Sequence, residues 1–222
     1  VGDCKLATQD NLVAIIQHQG RFLAPLPGYA GIQRQLEEWV LTNTVEDLLP
    51  RPEAAGKELW YRGFCRPYML VDAERRQYPC AVHILCNPRL RAKKHVHLER
   101  RLQKTQTFLE GLPKRLGKRT LKSREAIAQV LEAIMRRYHT RDLLTYRIVE
   151  TATTRKRYRE RGRPAAEASY EEVSEVHWSV DWQWLPEAIE NAKMLSGYFP
   201  LITNDPSLTT AQALDVYKEQ YH

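Results

Sequence analysis

The sequence predicts an α/β fold that is interrupted by a long insertion. Helical and strand patterns alternate at both ends of the chain, which is typical of α/β elements. The middle instead shows paired strand patterns around two amphipathic helices. We expect one interrupted α/β domain; the alternative is two domains in tandem, with a boundary near residues 50–57.

At the start, leucine and isoleucine residues fall on one face of a helix that Gly20 ends. A short apolar run closed by prolines then predicts a buried strand. The predicted elements are a helix at residues 8–19, a strand at 21–26, a helix at 33–41 and a loop at 50–56.

The middle predicts a β-hairpin, two antiparallel helices and two further strands. Residues 59–71 and 77–86 are rich in aromatic and β-branched residues around a turn at 72–75. Leucines and isoleucines then recur at helical spacing on either side of a basic turn, and Ser123 is the expected N-cap of the second helix. The other predicted elements are strands at 143–153 and 173–184, with a loop at 162–166.

The end of the chain returns to the α/β pattern. The predicted elements are a helix at 187–194, a strand at 197–203, a turn at 204–207 and a closing helix capped by Thr209 or Thr210. The first residue is valine, and the closing helix reaches the last residue without a stop signal. We therefore expect an internal part of a longer protein.

The composition is that of a folded globular protein. Of the 222 residues, 43% are apolar and 27% are charged, which argues against global disorder. No apolar run approaches the roughly 18 residues of a membrane span. Four cysteines are too few for a disulfide scaffold. These features exclude a membrane protein and a secreted miniprotein, and we expect a protein of the reducing cytoplasm.

Positive charge is concentrated in two blocks of the chain. Residues 89–124 hold 13 Lys and Arg against 2 Glu, residues 155–163 hold 6 against 1, and residues 164–222 hold 2 against 10 acids. Such segregation indicates a surface that faces a polyanion, which we expect to be nucleic acid. The alternatives are a solvated helix face and a surface for protein assembly. The candidate DNA-binding residues are Lys114, Arg115, Lys118, Arg119, Lys122, Arg155, Lys156, Arg157, Arg159, Arg161 and Arg163.

A stripe of tryptophans lies beside the second basic block. Alternation places Trp178, Trp182 and Trp184 on one face of the strand at 173–184. Such a stripe predicts the inward face of a sheet. The alternative is that one of these rings stacks on an unpaired base.

Metal-binding and catalytic motifs are sparse. Cys65, Cys80 and Cys86 are too widely spaced for a typical zinc site, and we interpret them as small apolar residues. Asp3 ends a predicted strand before a helix, where a carboxylate could bind a metal or cap the helix. Asp205 is interpreted as a turn or cap residue.

Several segments resemble bacterial insertion-sequence DDE transposases. The first two, at residues 1–12 and 20–27, resemble the block around the second catalytic aspartate. Arg161-Gly-Arg-Pro164 is similar to a basic loop of the family's insertion. Gly197-Tyr-Phe-Pro-Leu-Ile-Thr-Asn-Asp205 and Ala213-Leu-Asp-Val-Tyr-Lys-Glu-Gln-Tyr221 are similar to its closing block.

The resemblance implies a ribonuclease-H-like catalytic core, interrupted between the second Asp and the Glu by an insertion. The core would comprise residues 1–29 and 196–222, and the insertion residues 30–195. Such enzymes cut transposon ends and join them to target DNA, often as dimers on paired ends. Three carboxylates hold two Mg²⁺ or Mn²⁺ ions.

By position, Asp3 would be the second carboxylate and metal ligand, and Tyr217 would be the signature tyrosine. Gln220 stands where the family often has arginine, which puts that DNA contact in doubt. The first aspartate would precede Val1, and the glutamate would fall two residues beyond His222. We therefore expect this chain to be inactive alone. The alternative is a non-enzymatic nucleic-acid-binding module.

Overall fold

A computed structural model of the chain describes residues 7–26, 30–52, 58–118, 120–158 and 170–219, with the backbone alone at 30, 156–158, 170 and 171. The fold is mixed α/β with an antiparallel sheet. Its elements are α1 (Gln9–Gln17), β1 (Leu23–Pro25), α2 (Ala30–Thr42), β2 (Asp47–Pro52), β3 (Glu58–Val71), β4 (Gln77–Cys86), α3 (Pro88–Gly111), α4 (Arg124–Arg137), β5 (Leu144–Tyr158), β6 (Tyr170–Trp184), α5 (Pro186–Met194), β7 (Tyr198–Thr203) and α6 (Thr210–Glu219). No helix in the described part of the chain has both the length and the apolar character needed to cross a membrane.

The chain forms two compact units. Unit 1 comprises residues 1–96 and 191–222, and unit 2 comprises residues 97–190. The sequence had suggested boundaries at 29/30 and 195/196, whereas here the strands between residues 47 and 86 belong to the same sheet as β1 and β7. These strands therefore lie in the interrupted unit.

Unit 1 is built on a five-stranded sheet with the order β1-β7-β4-β3-β2, and every neighbouring pair is antiparallel. Alternation along the strands gives the sheet two apolar faces. The core between the sheet and helices α1 and α2 includes Leu12, Phe22, Ile32, Phe64, Val82, Ile84 and Ile202. The core between the sheet and α6 includes Leu23, Leu49, Leu85, Leu201 and Leu214.

Gly63 allows α6 to approach the sheet closely. A Cβ at this position would lie 2.8 Å from a Leu85 methyl group and 3.0 Å from the Thr210 methyl group. Thr210 begins α6, and the hydroxyl and backbone N–H of the preceding Thr209 both bond to the Gln212 side chain. The Thr209 hydroxyl in turn accepts a hydrogen bond from the N–H of Gln212, so the expected cap is confirmed at Thr209.

Unit 2 is a two-stranded ribbon, β5–β6, with one face packed against α3 and α4. Its core contains Leu109, Leu112, Leu121, Ile127, Leu131, Met135, Leu144 and Ile148. Thr145 and Arg147, on the other face of β5, are exposed. An isolated ribbon is marginally stable, so the helices supply the apolar surface that holds it.

Most predicted elements are present, with two differences. The β3–β4 hairpin, the helix pair and the closing helix are confirmed. The loop predicted at 50–56 begins instead as the end of strand β2, where Pro50 and Pro52 are tolerated because β2 is at the edge of the sheet. The predicted strand at 143–153 continues to Tyr158, so the first residues of the second basic block are strand.

Candidate nucleic-acid interface

The turn between α3 and α4 is a compact basic structure, which we call the tip (residues 112–123). Leu112 and Leu121 are buried in the unit 2 core and Leu116 packs against it. The Gly117 N–H bonds to the Leu121 carbonyl at 2.7 Å, and the Leu121 N–H bonds to the Lys118 carbonyl at 2.9 Å. Gly117 has φ +72°, which favours glycine. The tip is therefore a folded platform.

The basic side chains of the tip point into solvent. Lys114, Arg115, Lys118 and Lys122 are all exposed. None of them forms an ion pair with an acidic side chain in the described part of the chain. Arg119 lies outside the described residues. Unneutralised cations on a rigid turn create a positive potential that attracts polyanions.

Two features of the tip restrain or add to this positive charge. The Arg115 guanidinium lies 5.6 Å from the centroid of the Phe108 ring, a cation–π contact that restrains it. The Ser123 hydroxyl accepts a hydrogen bond from the Ala126 N–H at 3.2 Å, which confirms Ser123 as the N-cap of α4. The positive end of the α4 dipole therefore lies at the tip, although Glu125 in the first turn offsets part of it.

Arg124 is a further exposed cation at this end of α4. It was not among the candidate residues from sequence, although it belongs to the basic block at 89–124. Its position as the first residue of a capped helix was the available signal. It extends the basic surface of the tip to the start of α4.

The second basic block is placed differently, because part of it pairs with an acidic strand. Lys156 and Arg157 on β5 are in register with Glu172 and Glu171 on β6. Arg155 is exposed and faces Val173 across the ribbon. The register therefore sets two basic residues of β5 directly opposite acidic residues of β6. Of the other candidates in this block, Arg159, Arg161 and Arg163 lie outside the described residues.

The tryptophan stripe packs inward. Trp178, Trp182 and Trp184 are half-buried against the unit 2 core. Trp182 and Trp184 make an edge-to-face contact with ring centroids 5.7 Å apart. This arrangement confirms the prediction that the stripe is the inward face of a ribbon, and each ring presents only part of its surface to a base.

The carboxylate that the resemblance singles out, Asp3, lies outside the described residues, as does Gln220. Within the described residues, no three His, Cys, Asp or Glu side chains form a metal-binding group. Tyr217 lies on α6 with its ring centroid 5.9 Å from that of Phe199. Tyr217 thus packs against the apolar core between α6 and the sheet.

The cysteines differ in exposure along the β3–β4 hairpin. Cys65 is exposed, Cys80 is half-buried and Cys86 is buried. Burial raises the pKa of the Cys80 thiol to about 11 and also raises the pKa of Cys86. Raised pKa values keep these two thiols protonated, which fits their interpretation as apolar residues and does not fit a reactive role. Cys65 does not fit the interpretation as a buried apolar residue, because its side chain is exposed.

Asp205 is a turn residue, as predicted. Its carboxylate accepts hydrogen bonds from the N–H and hydroxyl of Ser207, and the Arg21 guanidinium lies 2.9 Å away. The bonds from Ser207, with the Arg21 charge, hold the pKa of Asp205 below its usual value. Through its contact with Arg21, Asp205 links the turn after β7 to the segment just before β1.

Comparisons with models of protein families, with curated proteins and with solved structures gave no match. The residues and their geometry therefore carry the functional conclusion.

Proposed function

We propose that this chain is part of a DDE transposase and that its unit 2 binds DNA through the tip. The observation that carries the binding proposal is the set of exposed cations on a folded turn that no described acidic side chain neutralises. Lysine and arginine contacts to phosphates supply affinity without sequence choice. The proposed role of the tip is to hold DNA in place while sequence-specific selection comes from elsewhere.

The transposase class is supported by the order of the resembling segments along the whole sequence. Residues similar to the second-aspartate block open the chain, a basic insertion follows, and residues similar to the closing block end it. In this proposal Asp3 binds one of two Mg²⁺ or Mn²⁺ ions, which would supply Lewis-acid chemistry to DNA cleavage. Because Asp3 lies outside the described residues, no catalytic step follows from this structure.

Neutralising the tip tests the binding proposal. We expect Lys114→Gln with Lys118→Gln and Lys122→Gln to raise the Kd for a 16-base-pair duplex by at least about tenfold, because up to three phosphate contacts are lost. Fluorescence anisotropy at 100 mM salt measures it. Arg34→Gln with Arg75→Gln removes two exposed cations from unit 1 and is the control. An unchanged Kd in the tip variant would contradict the proposal and favour a role of this charge in protein assembly.

The catalytic part of the proposal needs a separate test. In a gene product that includes this chain, Asp3→Asn should abolish Mg²⁺-dependent nicking of a DNA end and leave duplex binding unchanged. Equal nicking by the variant would remove Asp3 from the proposed role.

The second candidate is a non-enzymatic nucleic-acid-binding module. The tip favours it, because DNA binding through these cations does not require catalytic carboxylates. The codons that flank this chain distinguish the two. An aspartate-bearing strand upstream and a glutamate two residues after His222 support the enzyme. A start codon at Val1 and a stop codon after His222 support the module.

A further inference from the structure

Two exposed cations flank Tyr138, at the far end of α4 from the tip. The Lys104 ammonium and the Arg137 guanidinium each lie 5.8 Å from the centroid of the Tyr138 ring. Arg100, one turn before Lys104, and Arg136 are also exposed. We call Arg100, Lys104, Arg136 and Arg137 the Tyr138 cluster.

The packing of α3 against α4 holds this cluster in place. Arg101 donates hydrogen bonds to the carbonyls of Tyr138, at 2.9 Å, and His139, and so caps the C-terminal end of α4. The fully buried hydroxyls of Thr105 and Thr140 lie 3.0 Å apart. Arg101 is thus committed to the fold, whereas the four residues of the cluster keep their charges at the surface.

The acidic groups of unit 2 near the cluster do not neutralise it. Glu132 is engaged by Arg141 at 3.4 Å and by the Tyr146 hydroxyl at 3.1 Å. Glu99 and Asp142 are exposed, and neither forms an ion pair with the cluster. Two like charges beside one ring repel each other, and the ring attracts both without cancelling either. A polyanion would relieve this repulsion.

One face of α3 connects the cluster with the tip. Arg100, Lys104, Thr107 and Gly111 recur at spacings of four, three and four residues, and all are exposed. The path between the two basic groups therefore carries only a threonine and a glycine. Glu110 lies beside this path, where its carboxylate accepts a hydrogen bond from Gln106 at 2.7 Å.

The length of this path fits a duplex. The fourteen residue-to-residue steps from Arg100 to Lys114 advance about 20 Å, which equals about six base pairs of B-DNA. A duplex is stiff over this length, so it can span both groups without an ordering cost. We infer that a DNA duplex lies along α3 and that its phosphates contact the tip at one end and the Tyr138 cluster at the other. This inference rests on the proposed function of the tip.

Salt dependence of binding tests the inference. The slope of log K against log salt is negative, and the variant Arg100→Gln with Lys104→Gln should reduce its magnitude by about two for a 16-base-pair duplex, because each lost phosphate contact reduces it by about one. The control Arg34→Gln with Arg75→Gln should leave the slope unchanged. Thermal unfolding of each variant checks that unit 2 remains folded.

A second variant tests the path itself. Thr107→Glu places a carboxylate midway between the two groups and should weaken binding at least as much as the loss of one cation. Thr151→Glu, at an exposed position of β5, is the matched control.

The outcomes separate this inference from the proposed function. If the tip variant loses affinity while the cluster and path variants bind like the native chain, the duplex does not follow α3 and the inference is overturned alone. If the tip variant also binds like the native chain, the proposed function fails with it.

Discussion

The side chains of His83 and Thr210 join the centre of the sheet to the first turn of α6. The His83 Nδ1 atom lies 3.3 Å from the Thr210 hydroxyl, and both residues are buried. The other ring nitrogen of His83, Nε2, is buried and has no hydrogen-bond partner in the structure. The position therefore suits a neutral imidazole, because a charged ring would leave a desolvated N–H donor unpaired.

This burial predicts acid sensitivity of unit 1. Desolvation lowers the pKa of His83 below its ordinary value of 6.5. Above that pH the ring is neutral in both the folded and unfolded states. Below it the unfolded chain binds a proton that the folded chain excludes, so the free energy of unfolding should fall as the pH decreases from about 6.5. Urea denaturation at pH 7.5 and pH 5.5 measures this difference.

The matched variants for this prediction are His83→Gln and His177→Gln. His177 lies on β6 in unit 2, so its loss should leave the pH dependence of unit 1 unchanged. His83→Gln should reduce it, whatever its effect on stability at pH 7.5. An equal pH dependence in His83→Gln and the native chain would show that another group causes the acid sensitivity.

Gly63→Ala should destabilise unit 1 by about 1–3 kcal/mol, because the added methyl group meets Leu85, the Ile84 carbonyl and Thr210 within 3.0 Å. The matched control is Gly111→Ala, where the added Cβ meets nothing within 4 Å. Gly111→Ala should be neutral or slightly stabilising, because alanine has a higher helix propensity than glycine. Urea denaturation compares the two, and a stable Gly63→Ala variant would mean that α6 packs less closely than described.

Asn204→Ala should lower the free energy of unfolding of unit 1 by about 1–3 kcal/mol, since a part-buried N–H loses its acceptor. The Asn204 side chain accepts from the Phe22 N–H at 2.9 Å and donates to the Gly20 carbonyl at 2.8 Å. Asn204→Asp keeps the acceptor for Phe22 but sets a second carboxylate oxygen against the Gly20 carbonyl, so its loss of stability reports the bond to Gly20. An Asn204→Ala variant as stable as the native chain in urea denaturation would contradict the prediction.

Trp178→Leu should lower the free energy of unfolding of unit 2 by about 1–3 kcal/mol, because the ring packs on the core beside the helices. Its duplex and single-strand affinities should stay within about twofold of the native values. Anisotropy with both DNA forms, under conditions in which the variant remains folded, measures them. A selective loss of single-strand affinity would support base stacking instead.

Local patterns predicted much of the fold. The β3–β4 hairpin, the helix pair and the inward tryptophan stripe follow from periodicity and from caps such as Ser123, which act within a few residues. Strand β2 did not follow, because Pro50 and Pro52 are typical of loops, and only its place at the sheet edge makes it a strand. The extent of unit 1 depends on strand pairing between distant segments, which local patterns do not reveal.

The candidate interface was predicted only in part, for a similar reason. The charge of the tip is visible in one continuous stretch of sequence. The pairing of the second basic block with an acidic strand is not visible in the same way, because it depends on the register that sets Lys156 and Arg157 opposite Glu172 and Glu171. The cations around Tyr138 also come from two helices, and only their packing brings Lys104 and Arg137 to one ring.

Salt titration of the tip variant tests the central claim most directly. The native chain and the Lys114→Gln, Lys118→Gln, Lys122→Gln variant would be titrated with one duplex of arbitrary sequence between 50 and 200 mM salt. We predict that the negative slope of log K against log salt is smaller in magnitude by about three in the variant, one for each lost phosphate contact. Parallel slopes for the two proteins would contradict the claim that the tip binds the DNA backbone.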